Sequence, residues 1–214
     1  MKSILLFLLL FSTINQFVKG QIDLDLIIKN VTENPSENYF PLLEIFKTNP
    51  SQLTQGELNQ LYYGSKFANP VDSKASFGDN FEKIFSKTKE NISKRKAETL
   101  LNDAEFIYQK SPMDKVVLKG MINIYNAVKN EDKYQLAIRQ LSLLQNTIEQ
   151  SGDGKSEETA ICVINAMDQL SMIVHLEKGS DFNQEVKQLS NKSILWIYSS
   201  GNSKIFVKLV GGYY

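Results

Sequence analysis

The sequence predicts an α+β fold: a mostly helical N-terminal layer of antiparallel helices, followed by a small antiparallel β-sheet at the C-terminus. Three observations carry that prediction. Apolar residues recur at steps of three and four from Ile22 to about Gln150, the period of a helix face. The pattern breaks at Ser151-Gly152-Asp153-Gly154, where two glycines around an acid favour a turn. Beyond the break, β-branched and aromatic residues gather in short runs separated by turn residues, as strands require.

The chain opens with Met1-Lys2-Ser3, then runs from Ile4 to Phe11 without a polar residue, and passes through Val18-Lys19-Gly20-Gln21. A charged start, a short apolar run and a small residue at the end are the parts of a secretory signal, here residues 1–20 with cleavage after Gly20. The run is too short to span a bilayer, which needs roughly twenty residues, and no second long apolar stretch follows. The expectation is therefore a secreted or periplasmic chain with no stable membrane insertion once the signal is removed. No cysteine lies near the cleavage point to carry a lipid, so the mature protein is expected to be released.

Charge excludes one class of partner. The 24 Lys and Arg balance the 24 Asp and Glu, with no basic patch, whereas nucleic-acid binding relies on cations against phosphate. Cys162 is the one cysteine, so no intramolecular disulfide can form and packing must supply the stability. Sequons stand at Asn30-Val31-Thr32, Asn91-Ile92-Ser93 and Asn191-Lys192-Ser193, and matter only in a host that glycosylates secreted asparagines. The mature chain divides into a helical region, 21–150, and a smaller C-terminal region, 151–214, packed on it as one compact unit.

Taking the elements in order, Pro41 suits a first helical turn and sets Leu42, Ile45 and Phe46 on one face. Thr54-Gln55-Gly56-Glu57 is a capping box, in which hydroxyl and carboxylate exchange hydrogen bonds with backbone N–H groups. It opens a short helix through Leu58, Leu61 and Tyr62, with Gly64 as its C-terminal cap. Phe67 to Ser76, containing Asn69-Pro70, reads as a loop. Helical steps resume at Phe77, Phe81, Ile84, Phe85 and Thr88, and again at Ala97, Leu100, Leu101, Ala104, Ile107 and Tyr108. Ser111 then serves as an N-cap with Pro112 in the first turn, leading into Val117, Met121, Ile124, Tyr125 and Val128. The turn Lys129–Asp132 returns the chain through Tyr134, Ala137, Leu141, Leu144 and Ile148, so the last two helices form an antiparallel hairpin.

After the glycine break, Thr159 to Ile164 is rich in β-branched and apolar residues, and a short helix passes through Met167, Leu170, Ser171 and Val174. Three stretches read as strands: 185–189, 194–198 and 205–210, with Ser199-Ser200-Gly201-Asn202 as a hairpin connection.

Two segments carry a family resemblance: Tyr39-Phe40-Pro41-Leu42-Leu43 followed by Gln60-Leu61-Tyr62-Tyr63-Gly64, and Ser151-Gly152-Asp153-Gly154-Lys155-Ser156-Glu157-Glu158-Thr159-Ala160. With Lys204-Ile205-Phe206-Val207 as a closing strand, they resemble exported bacterial proteins of the domain of unknown function 4919 family. The chain departs from that pattern after Gly64 and at Asp168-Gln169. The resemblance implies an exported fold of helices plus strands and supplies no activity. Separately, residues 104–148 resemble a tetratricopeptide-type helical hairpin, through Ala104, Pro112, Tyr125 and Ala137. No second copy recurs at a fixed period, while a repeat array needs about three units to bury a continuous core.

Four constellations could carry chemistry. Gly154-Lys155-Ser156 looks like the end of a phosphate-binding loop, but the glycine required five positions earlier is Glu149. Asp153, Glu157 and Glu158 put three carboxylates in one turn, as calcium needs, without the alternation of a calcium loop. Cys162 and His175 are the only thiol and the only imidazole, so a nucleophile pair would have to consist of these two. Tyr62 and Tyr63 could form a flat platform for a glycan or peptide. Adjacent helical residues point about 100° apart, which puts one of these tyrosines in the core and the other nearer the surface. In each case local structure is the stronger reading, so no residue is assigned as catalytic, cofactor-binding or metal-binding, and no cofactor is expected. The expected function is a non-enzymatic binding or protein-interaction module of the cell envelope, its partner an unknown protein or envelope component. The alternative is an envelope hydrolase using paired carboxylates, which needs neither His nor Cys.

Overall fold

The computed structural model describes residues 22–68, 73–86, 92–169, 182–189 and 192–212. The signal segment, Thr88 and His175 lie outside them. The helical layer comprises α1 (Leu24–Glu33), the short α2 (Pro35–Asn38), α3 (Phe40–Thr48), α4 (Gln55–Ala68), α5 (Ser73–Phe81), α6 (Lys94–Lys110), α7 (Lys115–Val128) and α8 (Glu131–Glu149). Four strands follow: β1 (Ile161–Val163), β2 (Asn183–Gln188), β3 (Ile194–Ser200) and β4 (Ser203–Leu209). The architecture is α+β.

Helix starts are fixed by local chemistry. Asp23 caps α1 by accepting from the Leu26 N–H, and Ser93 caps α6 through the Lys96 N–H. The capping box forms as expected, with the Thr54 N–H donating to the Glu57 carboxylate at 2.8 Å and the Glu57 N–H to the Thr54 hydroxyl at 3.3 Å. Helix α7 starts later than expected. Its cap is Asp114, not Ser111, because the Asp114 carboxylate accepts from both Val116 and Val117 N–H groups, while the Ser111 N–H closes the end of α6. The turn between α7 and α8 is also tighter: Lys129 adopts a left-handed conformation (φ 62°) and Asn130 at once caps α8.

Helices α6, α7 and α8 pack in sequence order across short turns, burying Ala97, Leu100, Ala104 and Ile107 against Val117, Met121 and Ile124, and these against Ala137, Leu144 and Ile148. The helical run expected from Phe77 onward is interrupted. Gly78 has non-helical angles (φ 47°, ψ −125°) and a π-helical turn, Glu82–Ser86, carries the buried Ile84 and Phe85 onto α7. Gly120 admits this contact, since a Cβ there would stand 2.2 Å from the Phe85 ring.

Helix α4 runs through to Ala68, past the expected end at Gly64. Gly64 is a contact glycine inside the helix instead of a cap: a Cβ would lie 2.7 Å from Val31 Cγ1 of α1. The consequence is a helix surrounded by neighbours, with Leu61, Tyr62, Tyr63 and Gly64 all buried. Both tyrosines lie in the core, correcting the expectation that one would sit nearer the surface. The 100° between them is taken up because α1 and α8 pack on α4 and the C-terminal region closes over it.

The sheet order is β1-β4-β3-β2. Strands β2, β3 and β4 are antiparallel as expected, joined between β3 and β4 by a two-residue turn in which Gly201 has φ 56°. The 159–164 segment supplies a fourth strand, and β1 runs parallel to β4, with Ile161 opposite Val207. The sheet is thus mixed, not purely antiparallel. A parallel pair needs a long crossover, and everything from Ile164 to Asn202 provides it. Trp196, Tyr198, Val207 and Leu209 face the helices, while Leu195, Ile197 and Ala160 form a small cluster on the opposite face with Phe206 and Leu189.

Residues 151–160 are the joint between the layers. The Ser151 hydroxyl donates to the Ile148 carbonyl at the end of α8 and accepts from the Cys162 N–H of β1. Gly154 has φ 68°, and its carbonyl accepts from the Phe206 N–H of β4. Gly152 is needed for space, not for a positive φ: a Cβ would stand 2.3 Å from the Thr159 carbonyl oxygen. Gly152→Ala and Gly154→Ala should each lower stability by about 1 kcal/mol or more, Gly152→Ala the further because it strikes backbone. Lys155→Ala and Glu157→Ala should stay within about 0.5 kcal/mol of the parent. Urea unfolding of the four variants measures both; an unmoved midpoint for the glycine pair would remove the joint.

Candidate functional site

The chemistry-bearing side chains converge where α4 meets the start of the C-terminal region. Tyr62 and Tyr63 pack edge to face, with ring centroids 4.9 Å apart and an interplanar angle of 76°. The Tyr62 hydroxyl donates to Asp168 Oδ2 at 3.2 Å. Asp168 closes the 3-10 turn Ala166–Asp168, which Asn165 caps by accepting from the Met167 N–H. On its other oxygen Asp168 takes Lys115 Nζ at 3.2 Å, an ion pair whose side chains are only 5% and 13% exposed. Lys115 is placed there by the Asp114 cap, which makes it the first residue of α7.

One turn further along α4, Lys66 lies buried and points its ammonium at the carbonyls of Ile164 (3.2 Å) and Gly212. The Tyr63 hydroxyl donates to the Cys162 carbonyl at 3.1 Å. Next to Asp168, Gln169 accepts from the Tyr198 hydroxyl of β3. Helix α4 therefore presents a phenol, a second phenol and an ammonium to the backbone and side chains of 162–169 and 212. The cluster joins the two parts of the fold.

Its electrostatics follow from burial. Loss of water pushes the Tyr62 hydroxyl well above the usual tyrosine range, and the Asp168 charge adds to the effect; burial does the same to Tyr63. Both phenols are thus fixed as hydrogen-bond donors. Burial also pushes the Cys162 thiol up to about 11, which keeps it protonated and a poor nucleophile. His175, the other half of the candidate dyad, lies outside the described residues. Tyr62 and Tyr63 offer no flat platform to solvent, being fully buried.

The Ser151–Ala160 candidates resolve into turn chemistry. The Gly154 N–H, which a phosphate loop would aim at an anion, donates to the Thr159 carbonyl, and the Lys155 N–H donates to Asp153 Oδ1. Hydrogen bonds from Thr159 and from the Lys155 backbone hold the Asp153 carboxyl down to about 2. The Ser156 hydroxyl holds Glu158 below its ordinary value, and Glu157 lies 3.9 Å from Lys187 of β2. Among the described residues no three His, Cys, Asp or Glu side chains converge on a metal-sized space.

Sequence reasoning missed Lys66, Lys115 and Asp168. Lysines near helix ends read as solvated charges, and Asp168-Gln169 stood out only as a departure from a family pattern. At the surface, Phe106 of α6 is 59% exposed and meets the half-buried Phe77 edge to face, with centroids 6.2 Å apart. A shallow basin between Lys83 and the first turns of α6 is lined by Lys83, Ser93, Arg95, Lys96, Thr99 and Leu100.

The model of the DUF4919 family, a domain of unknown function, matches residues 25–192, and the chain belongs to that family. No curated protein and no solved structure matches it.

The Lys115–Asp168–Tyr62 group yields a ranking of variants. Lys115→Met strips the buried carboxylate of its cation and should cost about 3 kcal/mol, because an uncompensated buried charge is expensive. Tyr62→Phe removes one hydrogen bond and keeps the ring, which should cost about 1 kcal/mol. Denaturant unfolding gives both values, and equal costs would mean that the ion pair is solvated. Cys162 should resist a thiol reagent at pH 8 in the native protein and react at once in denaturant. Fast native labelling would contradict its placement.

Proposed function

We propose that this member of the DUF4919 family is an exported, non-enzymatic binding protein of the cell envelope, released after cleavage behind Gly20, whose helical layer holds a protein or envelope component. The observation that carries this reading is the Phe77–Phe106 pair. Phe106 is the most exposed aromatic ring among the described residues of the helical layer, and it is held in place by a second ring. A rigid aromatic pair at the surface is the kind of anchor on which interfaces concentrate their energy. Support also comes from the buried cluster around α4, in which Tyr62, Tyr63, Cys162 and Asp168 each serve internal contacts. The paired-carboxylate alternative gains nothing from Asp168, whose neighbour is a lysine.

The test is purification of the tagged chain from its native envelope after crosslinking, beside a Phe106→Ala variant of unchanged circular dichroism. The expected result is a stoichiometric partner that the variant loses, with mature chains beginning at Gln21. Recovery of both proteins free of any partner would overturn the reading.

A further inference from the structure

Strand β2 forms one end of the sheet, with β3 on one side and no further strand on the other among the described residues. All six of its residues are exposed, Val186 at 55%. The outward N–H and C=O groups of such an edge are a template for another strand, so the side chains along it decide which strand fits.

Gln184-Glu185-Val186-Lys187-Gln188 reads the same in both directions about Val186, except that the charge changes sign. Laid antiparallel on a second copy, with a two-fold axis at Val186, the segment sets Val186 against Val186. Glu185 then faces Lys187 twice, and Gln184 faces Gln188 twice. Laid parallel and in register, it would face Glu185 with Glu185 and Lys187 with Lys187, which cross-strand pairing penalises. The edge therefore complements itself in one orientation only.

Among the described residues these groups are exposed. Val186 lies opposite Trp196, on the helix-facing side of the sheet, while Glu185 and Lys187 lie opposite Ile197 and Leu195 on the other face. Within one copy Lys187 Nζ stands 3.9 Å from both Glu185 and Glu157, with side chains about half exposed; such long surface contacts yield at little cost. Open-ended growth is blocked at the opposite edge, where β1 has three residues, all buried. A self-complementary patch on one edge gives closed two-fold symmetry.

We propose that the β2 edge is the interface of a symmetric homodimer, in which two copies of β2 pair antiparallel about Val186 and join their sheets into one. This surface is separate from the Phe106 site, so either reading can fail alone.

Sedimentation equilibrium of the chain from Gln21 onward, over a dilution series, should give a concentration-dependent dimer. Glu185→Lys alone, or Lys187→Glu alone, opposes like charges at two symmetric contacts and should raise the dimer Kd by about tenfold or more. The double reversal Glu185→Lys with Lys187→Glu should restore the parent Kd, with circular dichroism unchanged throughout. Val186→Cys, placed on the axis, should form an interchain disulfide under mild oxidation, and Phe106→Ala should leave the Kd alone. A monomer at every concentration overturns the proposal, as does a dimer indifferent to the single reversals or not rescued by the double one.

Discussion

The fold depends on how α4 satisfies its buried polar groups. Its inner face carries Tyr62, Tyr63 and Lys66, and none of these can be buried alone. An unmade hydrogen bond in the core costs about 1–3 kcal/mol, and more where charge is involved. The partners come from chain distant in sequence: Cys162 for Tyr63, Asp168 for Tyr62, Ile164 and Gly212 for Lys66. Helix α4 is thus complete only when the C-terminal region is docked, and that region is held by α4 together with Lys115 of α7 and Ser151 after α8. Removing either would expose apolar surface and strand polar atoms of the other.

Strand β3, in the middle of so small a sheet, is buried on both faces. Trp196, Tyr198 and Val207 pack on the helices, each contributing on the order of 1.5–3 kcal/mol if fully buried. The opposite face would be open in a two-layer fold. Here Ala160 at the end of the Ser151–Ala160 segment packs on Leu195 and Ile197, and the carbonyl of Gly154 takes the Phe206 N–H. One ten-residue joint therefore turns the chain out of α8, leads into β1 and covers Leu195 and Ile197 on the outer face. Ser151 is its pivot, since a single hydroxyl bonds both the last turn of α8 and the first strand.

What was legible in the sequence follows from locality. The capping box at Thr54, the helical stripes of α6, α7 and α8, the hairpin at Gly201 and the glycine joint all rest on residues within a few positions of one another. The misreadings share a different cause. Gly64 looked like a cap because its real reason, the close approach of Val31, lies 33 positions earlier and on another helix. Both tyrosines entered the core because α4 has neighbours on several sides, which a periodicity of one helix cannot reveal. The parallel pairing of β1 was invisible because it sets Ile161 beside Val207, across the whole C-terminal region. Asp168 gave no signal of its own: its burial is created by Lys115 and Tyr62, which lie 53 and 106 positions before it.

These separations also order the assembly of the molecule. Helices α6, α7 and α8 meet neighbours joined by short turns, contacts that cost little loop entropy and form early. Tyr62, Tyr63 and Lys66 must wait for partners about a hundred or more positions away, with no disulfide to hold the ends together, because Cys162 is the sole cysteine. Docking of the C-terminal region is then the committing step, and buried polar contacts serve it better than apolar ones alone. A greasy face would accept the sheet in several registers. A phenol that needs the Cys162 carbonyl, and an ammonium that needs Ile164 and Gly212, accept one. The cost of burying Lys66 and Lys115 is in this sense the cost of specifying how the two halves meet, while Phe106 on the helices and Val186 on the sheet edge stay exposed.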